Sequence, residues 1–71
     1  MINVMDYATF GDYAMTVAKQ AAPYAASDYY NGTLFVTGCT PREASKIQTA
    51  FECDSVGVIV TPGNEYSFDF V

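Results

Sequence analysis

The sequence predicts a small α+β fold in which two short helices pack on one face of a small, mainly antiparallel sheet of three or four strands. One observation is that residues 40–51 have the start, the period and the end of an amphipathic helix, with segments of strand character on both sides. The other is a pair of turn signals, Asn31-Gly32 and Pro62-Gly63, each lying between such segments. Together they give the order α-β-β-α-β-β.

The predicted helix at residues 40–51 begins with a capping box. Thr40 can accept a hydrogen bond from the amide of Glu43 while the Glu43 carboxylate reaches back, and Pro41 takes the first helical position, where no N–H is needed. One apolar stripe follows at helical spacing: Ala44, Ile47 and Phe51. This helix therefore has a single side to bury.

A first helix is predicted at residues 9–22. Thr9 and Asp12 repeat the capping pattern with Asp in place of the usual Glu, and Pro23 is expected to end the helix. Apolar residues recur at helical spacing, namely Phe10, Ala14, Val17, Ala18 and Ala21. Residues 1–8 are interpreted as an extended arm of the same single domain, which comprises residues 1–71.

Residues 24–30 allow two interpretations. The favoured one is a strand that ends in Asn31-Gly32, because both residues tolerate the positive φ of a type I′ turn and a second apolar segment follows at once. In the other, Gly32 caps a second helix that ends near Tyr30. The order would then be α-α-β-α-β-β, with a three-stranded sheet.

The second hairpin has alternating residues on both sides of its turn. Pro62 and Gly63 are predicted at the central positions of a type II turn, in which Gly63 would have a positive φ. On the last strand the aromatic residues should face the helices, whereas Asp69 should face water or a partner.

The charge of the chain excludes some partners. It has 71 residues, eight acids, three cations and a net charge of −5 at pH 7, so it should repel a phosphate backbone and suit a basic protein surface. No apolar stretch approaches the roughly 20 residues that span a bilayer, and the first residues lack the basic and apolar regions of an export signal. We therefore expect a soluble, cytoplasmic protein that contacts neither membrane nor nucleic acid directly.

No residue pattern points to catalysis or to a cofactor. Histidine is absent, and Cys39 and Cys53 lack both the C-x-x-C spacing and a histidine partner, so neither zinc binding nor thiol redox chemistry is indicated. Because the two cysteines flank the predicted helix, they are expected to be free thiols. Cys39 precedes a helix start, which can lower a thiol pKa, but a small core side chain is the favoured interpretation. We expect no enzyme activity, no metal and no cofactor.

The tyrosines are the most suggestive feature. Six tyrosines in 71 residues exceed what so small a core can hold, so some should be exposed. Exposed tyrosine beside acids is typical of protein-binding surfaces, although the rings can instead lean over the edge of the core with only the hydroxyl in water. The candidate partner-binding residues are Asp12, Tyr13, Asp28, Tyr29, Tyr30, Glu65, Tyr66 and Asp69. The sheet face that bears Phe35, Ile59 and Asp69 is a second candidate surface if nothing covers it.

In size, acidity, tyrosine content and lack of histidine, the whole chain resembles the small phage-encoded proteins that bind and block a host machine, among them anti-CRISPR proteins. The resemblance implies a cytoplasmic inhibitor that docks on a basic, nucleic-acid-binding surface of a bacterial complex. A DNA mimic is a weaker version of this hypothesis, because eight acids are a sparse imitation of a phosphate lattice.

The alternative hypothesis is a structural or assembly module without catalytic activity. Such a module would form a homodimer through the sheet face or through the terminal strand at residues 66–71, hiding its apolar surface in a symmetric contact. An inhibitor would instead keep its acids together on one free face.

Overall fold

The computed structural model describes residues 9–71, so the predicted extended arm at residues 1–8 lies outside the described part of the chain. The element order is the predicted α-β-β-α-β-β, and the four strands form one antiparallel sheet of order β1-β2-β4-β3. The bounds are α1 Phe10–Ala21, β1 Ala26–Tyr30, β2 Thr33–Thr37, α2 Pro41–Cys53, β3 Val58–Thr61 and β4 Glu65–Phe70. The α+β prediction is therefore confirmed in its four-stranded form.

Both helices begin where their capping residues predict. Thr9 precedes α1 and accepts a hydrogen bond from the amide of Asp12 at 3.1 Å. At α2 the whole capping box forms: the Glu43 amide donates to Thr40 Oγ1 at 3.2 Å, and the Thr40 amide donates to Glu43 Oε1 at 2.8 Å. These bonds satisfy amides that a helix start otherwise leaves unpaired, which fixes both starts locally.

The first hairpin has the predicted two-residue turn. Asn31 and Gly32 have φ values of 53° and 83°, and Tyr30 pairs with Thr33 across them. Positive φ at both central residues is the property of a type I′ turn, whose twist matches that of the flanking strands. Residues 26–30 are thus a strand, and the alternative helix ending near Tyr30 does not form.

The second hairpin differs from its prediction at the turn. Gly63 does not have a positive φ, so the proposed type II turn is wrong. The reason is the length of β4: Glu65 and Tyr66 pair with β2, whereas the β3 ladder closes with Thr61 opposite Ser67. Residues 62–64 form the loop, and because residues 65 and 66 pair with β2 alone, five residues separate Thr61 from its partner Ser67.

The two helices lie on one face of the sheet and enclose the core with it. Fully buried sheet residues meet fully buried helix residues there. The sheet contributes Leu34, Val36 and Phe68, and the helices contribute Tyr13, Ala14, Val17, Ala18, Ala44, Ile47 and Phe51. In this two-layer arrangement the apolar side of each helix packs against the apolar face of the sheet.

A cluster of aromatic rings joins the helix layer to the sheet. Phe70 of β4 lies edge-on to Phe10 of α1 and to Phe51 of α2, with ring centroids 4.7 and 4.9 Å apart. The ring centroid of Tyr13 in α1 lies 5.5 Å from that of Phe10 and 5.7 Å from that of Phe51. The ring centroid of Tyr29 in β1 lies 6.0 Å from that of Phe10. Such edge-to-face contacts stabilise a core beyond the area that they bury.

The C-terminus of α2 is closed by two backbone hydrogen bonds and a left-handed residue. The Val56 amide donates to the Phe51 carbonyl at 2.9 Å, and the Ser55 amide donates to the Glu52 carbonyl at 3.0 Å. This pair is a Schellman motif, and Ser55, with φ of 62°, occupies the position that glycine usually takes.

Gly32→Val should destabilise the protein, because valine has to adopt the left-handed backbone of the turn. The expected loss is about 1–2 kcal/mol of the free energy of unfolding. A thermal melt checks it against Thr61→Val, which places the same side chain on an exposed strand end with ordinary backbone. Equal melting temperatures for the two variants would contradict the type I′ turn.

Ser55→Gly should stabilise the protein by about 0.5–1 kcal/mol, because glycine adopts the left-handed backbone without a Cβ clash. Denaturant unfolding measures the change. Ser55→Ala is the control, since it keeps the Cβ and should bring no gain. A variant pair in which alanine is as stable as glycine would show that residue 55 is not strained.

Candidate protein-binding surface

Side chains of the strands alternate between the two faces of the sheet. Those that point toward the helices are apolar or aromatic except for Ser27, and they include Leu34, Val36 and Phe68, which are fully buried. We call the opposite side the open face. It comprises Ala26, Asp28, Tyr30, Thr33, Phe35, Thr37, Ile59, Thr61, Glu65, Ser67 and Asp69.

The strand register arranges the open face in three rows. The first row runs Tyr30, Thr33, Asp69, Ile59, the second runs Asp28, Phe35, Ser67, Thr61, and the third runs Ala26, Thr37, Glu65. Tyr30 and Ile59, at the two ends of the first row, are 70% and 57% exposed, so the helices do not cover this side. Phe35, Ile59 and Asp69 thus lie on one face of the sheet that the helices leave uncovered, as the sequence predicts for the second candidate surface.

The open face is acidic and carries no Lys or Arg. Asp28, Glu65 and Asp69 lie on it, whereas every Lys and Arg of the chain is on a helix, on the other side of the sheet. Strand spacing of about 4.8 Å and a rise of about 3.4 Å per residue put the Cα atoms of these acids about 12–14 Å apart. Three carboxylates therefore surround the middle of the face, where Phe35 lies.

Two of the three carboxylates are held by threonines of the neighbouring strand. Thr33 Oγ1 donates to Asp69 Oδ1 at 2.6 Å, and Thr37 Oγ1 donates to Glu65 Oε2 at 3.2 Å. Both pairs are cross-strand neighbours, so the register itself brings hydroxyl and carboxylate together. Within the described residues no such bond holds Asp28, whose carboxylate keeps both oxygens for solvent or a partner.

A depression of about 400 Å³ lies at the β1 side of the open face. The residues that line it include Asp28, Glu65, Tyr30 and Phe35. Ala26 lies at the end of the third row, and its small side chain leaves room beside larger neighbours. Acidic and aromatic groups are thus combined in one concave site.

The structure divides the eight sequence-predicted partner residues into three groups. Asp28, Tyr30, Glu65 and Asp69 lie together on the open face. Asp12 is exposed but belongs to the first turn of α1, in the helix layer. The remaining three are the tyrosines Tyr13, Tyr29 and Tyr66, which point toward the core.

The expectation that Tyr13 is an exposed contact residue is wrong. Its side chain is 0% exposed, and its hydroxyl donates to Asp54 Oδ2 at 2.7 Å at the end of α2. Tyr29 and Tyr66 are half-buried because the register places them opposite Leu34 and Val36, on the helix side of the sheet. Tyr29 and Tyr66 thus agree with the alternative interpretation of rings at the edge of the core, whereas Tyr13 is buried together with its hydroxyl.

Sequence reasoning missed some exposed residues. Tyr24, in the loop between α1 and β1, is 99% exposed, yet no acid adjoins it in sequence to mark it. The sequence also does not reveal that Thr33 and Thr37 donate hydrogen bonds to Asp69 and Glu65, because these partners on β4 are more than 25 positions away in the chain. Only the strand order β1-β2-β4-β3 makes them neighbours.

The strand order argues against dimerisation by edge pairing of the last strand. β4 lies between β2 and β3, and its residues 67–69 pair on both sides, whereas Glu65 and Tyr66 pair with β2 alone. The edge strands of the four-stranded sheet are β1 and β3. Of the two contacts proposed for an assembly module, the strand order therefore favours the sheet face.

A second groove, of about 440 Å³, lies on the outer side of α2. Arg42 and Lys46 line it together with Ser45, Thr49 and Ala50. It has the opposite charge to the open face, and the sheet separates the two. The molecule is thus acidic on its sheet side and carries its cations on the helix side.

The described residues also bear on metal binding and on the reactivity of the cysteines. Among residues 9–71 no group of three or more Cys, Asp or Glu side chains is placed to hold a metal ion. Cys39 and Cys53 are both free thiols. The pKa of the Cys39 thiol is raised, chiefly because burial disfavours the thiolate and secondly because the Glu43 carboxylate repels it. Both effects oppose activation of the Cys39 thiol.

Comparisons with protein-family models, with curated proteins and with solved structures found no match to this chain. Within the described part, neither helix has the length and apolar character needed to cross a bilayer.

The raised pKa of Cys39 predicts slow alkylation. Below the ordinary thiol pKa, a raised value means a smaller thiolate fraction, and only the thiolate reacts. In a Cys53→Ser variant, iodoacetamide at about pH 8 should modify folded Cys39 more slowly than the same variant unfolded in urea. Faster reaction of the folded protein would instead indicate an activated cysteine.

Proposed function

We propose that this protein is a small acidic binding protein without catalytic activity, which blocks a basic nucleic-acid-binding surface of a bacterial complex. The proposal includes the phage origin and the anti-CRISPR-like role that the resemblance implies. The observation that carries it is the open face, where three carboxylates lie on the side of the sheet that the helices leave uncovered, without any Lys or Arg of the described strands. A partner surface must offer the opposite charge to fit it.

The charge pattern supports a protein partner rather than nucleic acid. Asp28, Glu65 and Asp69 would repel phosphates, whereas a groove that binds nucleic acid presents Lys and Arg at its surface. Such a groove attracts the open face over distances of about one Debye length, roughly 8–10 Å at physiological salt. Association should therefore be fast and salt-sensitive.

The fixed orientation of two carboxylates also supports binding. Because Thr33 and Thr37 already hold Asp69 and Glu65, these side chains lose less conformational freedom when a partner arrives. Tyr30 and Ile59 flank the acids and provide apolar contact area. Interfaces typically combine apolar contact area with polar groups.

The homodimeric assembly module is the second candidate, and the exposed Ile59 and Tyr30 are the observation that favours it. Two copies that met through their open faces would however bring two sets of three carboxylates together without a cation between them. Like charges across an interface are destabilising, which favours a basic partner over a second copy.

The test compares two variants with the same net charge. Asp28→Asn/Glu65→Gln removes two acids of the open face, and Asp12→Asn/Glu52→Gln removes one Asp and one Glu from exposed positions on the helices. Tagged proteins are used to capture complexes from bacterial lysate at about 50 mM and about 200 mM salt. Light scattering on each purified chain records its oligomeric state.

We expect the wild-type protein to be a monomer and to recover, at low salt, a complex that handles nucleic acid. Binding of the protein should displace nucleic acid from that complex. The open-face variant should bind about tenfold more weakly or worse, because charged contacts are lost, while the helix variant should behave as the wild type. Equal loss in both variants, or a stable dimer that captures nothing, would overturn the proposal.

A further inference from the structure

Building on the proposed function, we infer that the depression on the open face is a receptor for an arginine side chain of the partner. The depression has a volume of about 400 Å³ and combines Asp28 and Glu65 with the rings of Tyr30 and Phe35. A cation can pair with the carboxylates, and a flat cation can in addition stack on the aromatic rings. Arginine is the protein side chain that has both properties.

The register places the aromatic floor between the two acids. Phe35 on β2 is the direct cross-strand neighbour of Asp28 on β1, and Glu65 on β4 pairs with Thr37, two residues further along β2. A guanidinium that lies over Phe35 therefore has a carboxylate on each side. Stacking over the ring is a favourable arrangement for a cation, most often for arginine.

Each acid offers an oxygen that the protein leaves available. Glu65 accepts the Thr37 hydroxyl through Oε2, so Oε1 remains free to accept an N–H from a ligand. Asp28 is exposed and, among the described residues, is not engaged by a hydrogen-bond donor, so both of its oxygens are available. Guanidinium presents five N–H donors in a planar fork, which suits two acceptors at different sides of one ring.

Lysine fits the same site less well. The lysine ammonium is compact and strongly hydrated. It lacks the flat guanidinium plane, which can stack on a ring while the N–H groups at its edge donate to carboxylates on two sides. The acids alone would accept either cation, so the preference for arginine depends on Phe35 and Tyr30. The inference is thus separable from the general acidity of the open face.

The experiment uses two synthetic peptides of the same length, Gly-Arg-Gly-Arg-Gly and Gly-Lys-Gly-Lys-Gly, titrated into the isotope-labelled full chain. Backbone and aromatic NMR shifts report the binding site and the dissociation constant. For the wild type we expect the arginine peptide to bind about two- to fivefold more tightly, with the largest shifts at Phe35 and Tyr30.

Phe35→Leu should remove that preference and leave the weaker lysine affinity unchanged, because the carboxylates stay in place. Tyr24→Leu is the matched control, because it removes a ring that is 99% exposed and lies outside both the open face and the depression, and it should keep the wild-type preference. Should Phe35→Leu fail to fold, Tyr30→Leu provides a second test of the ring contribution, since Tyr30 is 70% exposed.

The outcomes separate this inference from the proposed function. Equal affinity of both peptides for the wild type, or shifts that map away from the depression, would overturn the arginine receptor even if the acidic face still captured its complex from lysate. Arginine-selective binding together with failure of the capture experiment would support the receptor and overturn the blocking function.

Discussion

The structure depends on the aromatic cluster that joins both helices to the sheet. A chain of 71 residues buries only about 60–65% of its unfolded surface, so each buried ring matters. Phe70 lies edge-on to Phe10 and Phe51, which come from different helices, and Tyr29 and Tyr13 extend the contact to β1 and to the end of α2. Because the rings of four elements meet at one place, the helices are fixed on the same side of the sheet.

That one-sided packing creates the surface available for binding. Strand side chains alternate, so a sheet that turns its aromatic residues toward two helices must turn the residues between them outward. Here the outward residues are hydroxyls, acids and a few apolar groups. The same alternation turns the buried Phe68 and the partly buried Phe70 toward the helices and places Asp69 between them on the open face. Core formation and the acidic face are therefore two consequences of one pattern.

The separation of charge is the property with most bearing on function. The three cations lie on helices, at Lys19, Arg42 and Lys46, and none of them can neutralise the open face through the sheet. A Thr on β2 opposes an acid on β4 in two places, and each threonine hydroxyl donates a hydrogen bond that orients the carboxylate opposite it. An acidic surface with fixed geometry can discriminate among basic partners, because their cations must match its spacing.

The sequence by itself determined the local structure, since each start and turn is set by residues within a few positions of one another. The capping residue Thr40 and the Asn31-Gly32 turn are examples, and with the apolar periodicity they were enough to predict the fold class and the element order. The tertiary structure alone decided which residues share a face. It buried Tyr13, widened the loop around Gly63 and placed β4 in the middle of the sheet. The physical reason is that burial and strand order depend on contacts between distant segments, which no local pattern specifies.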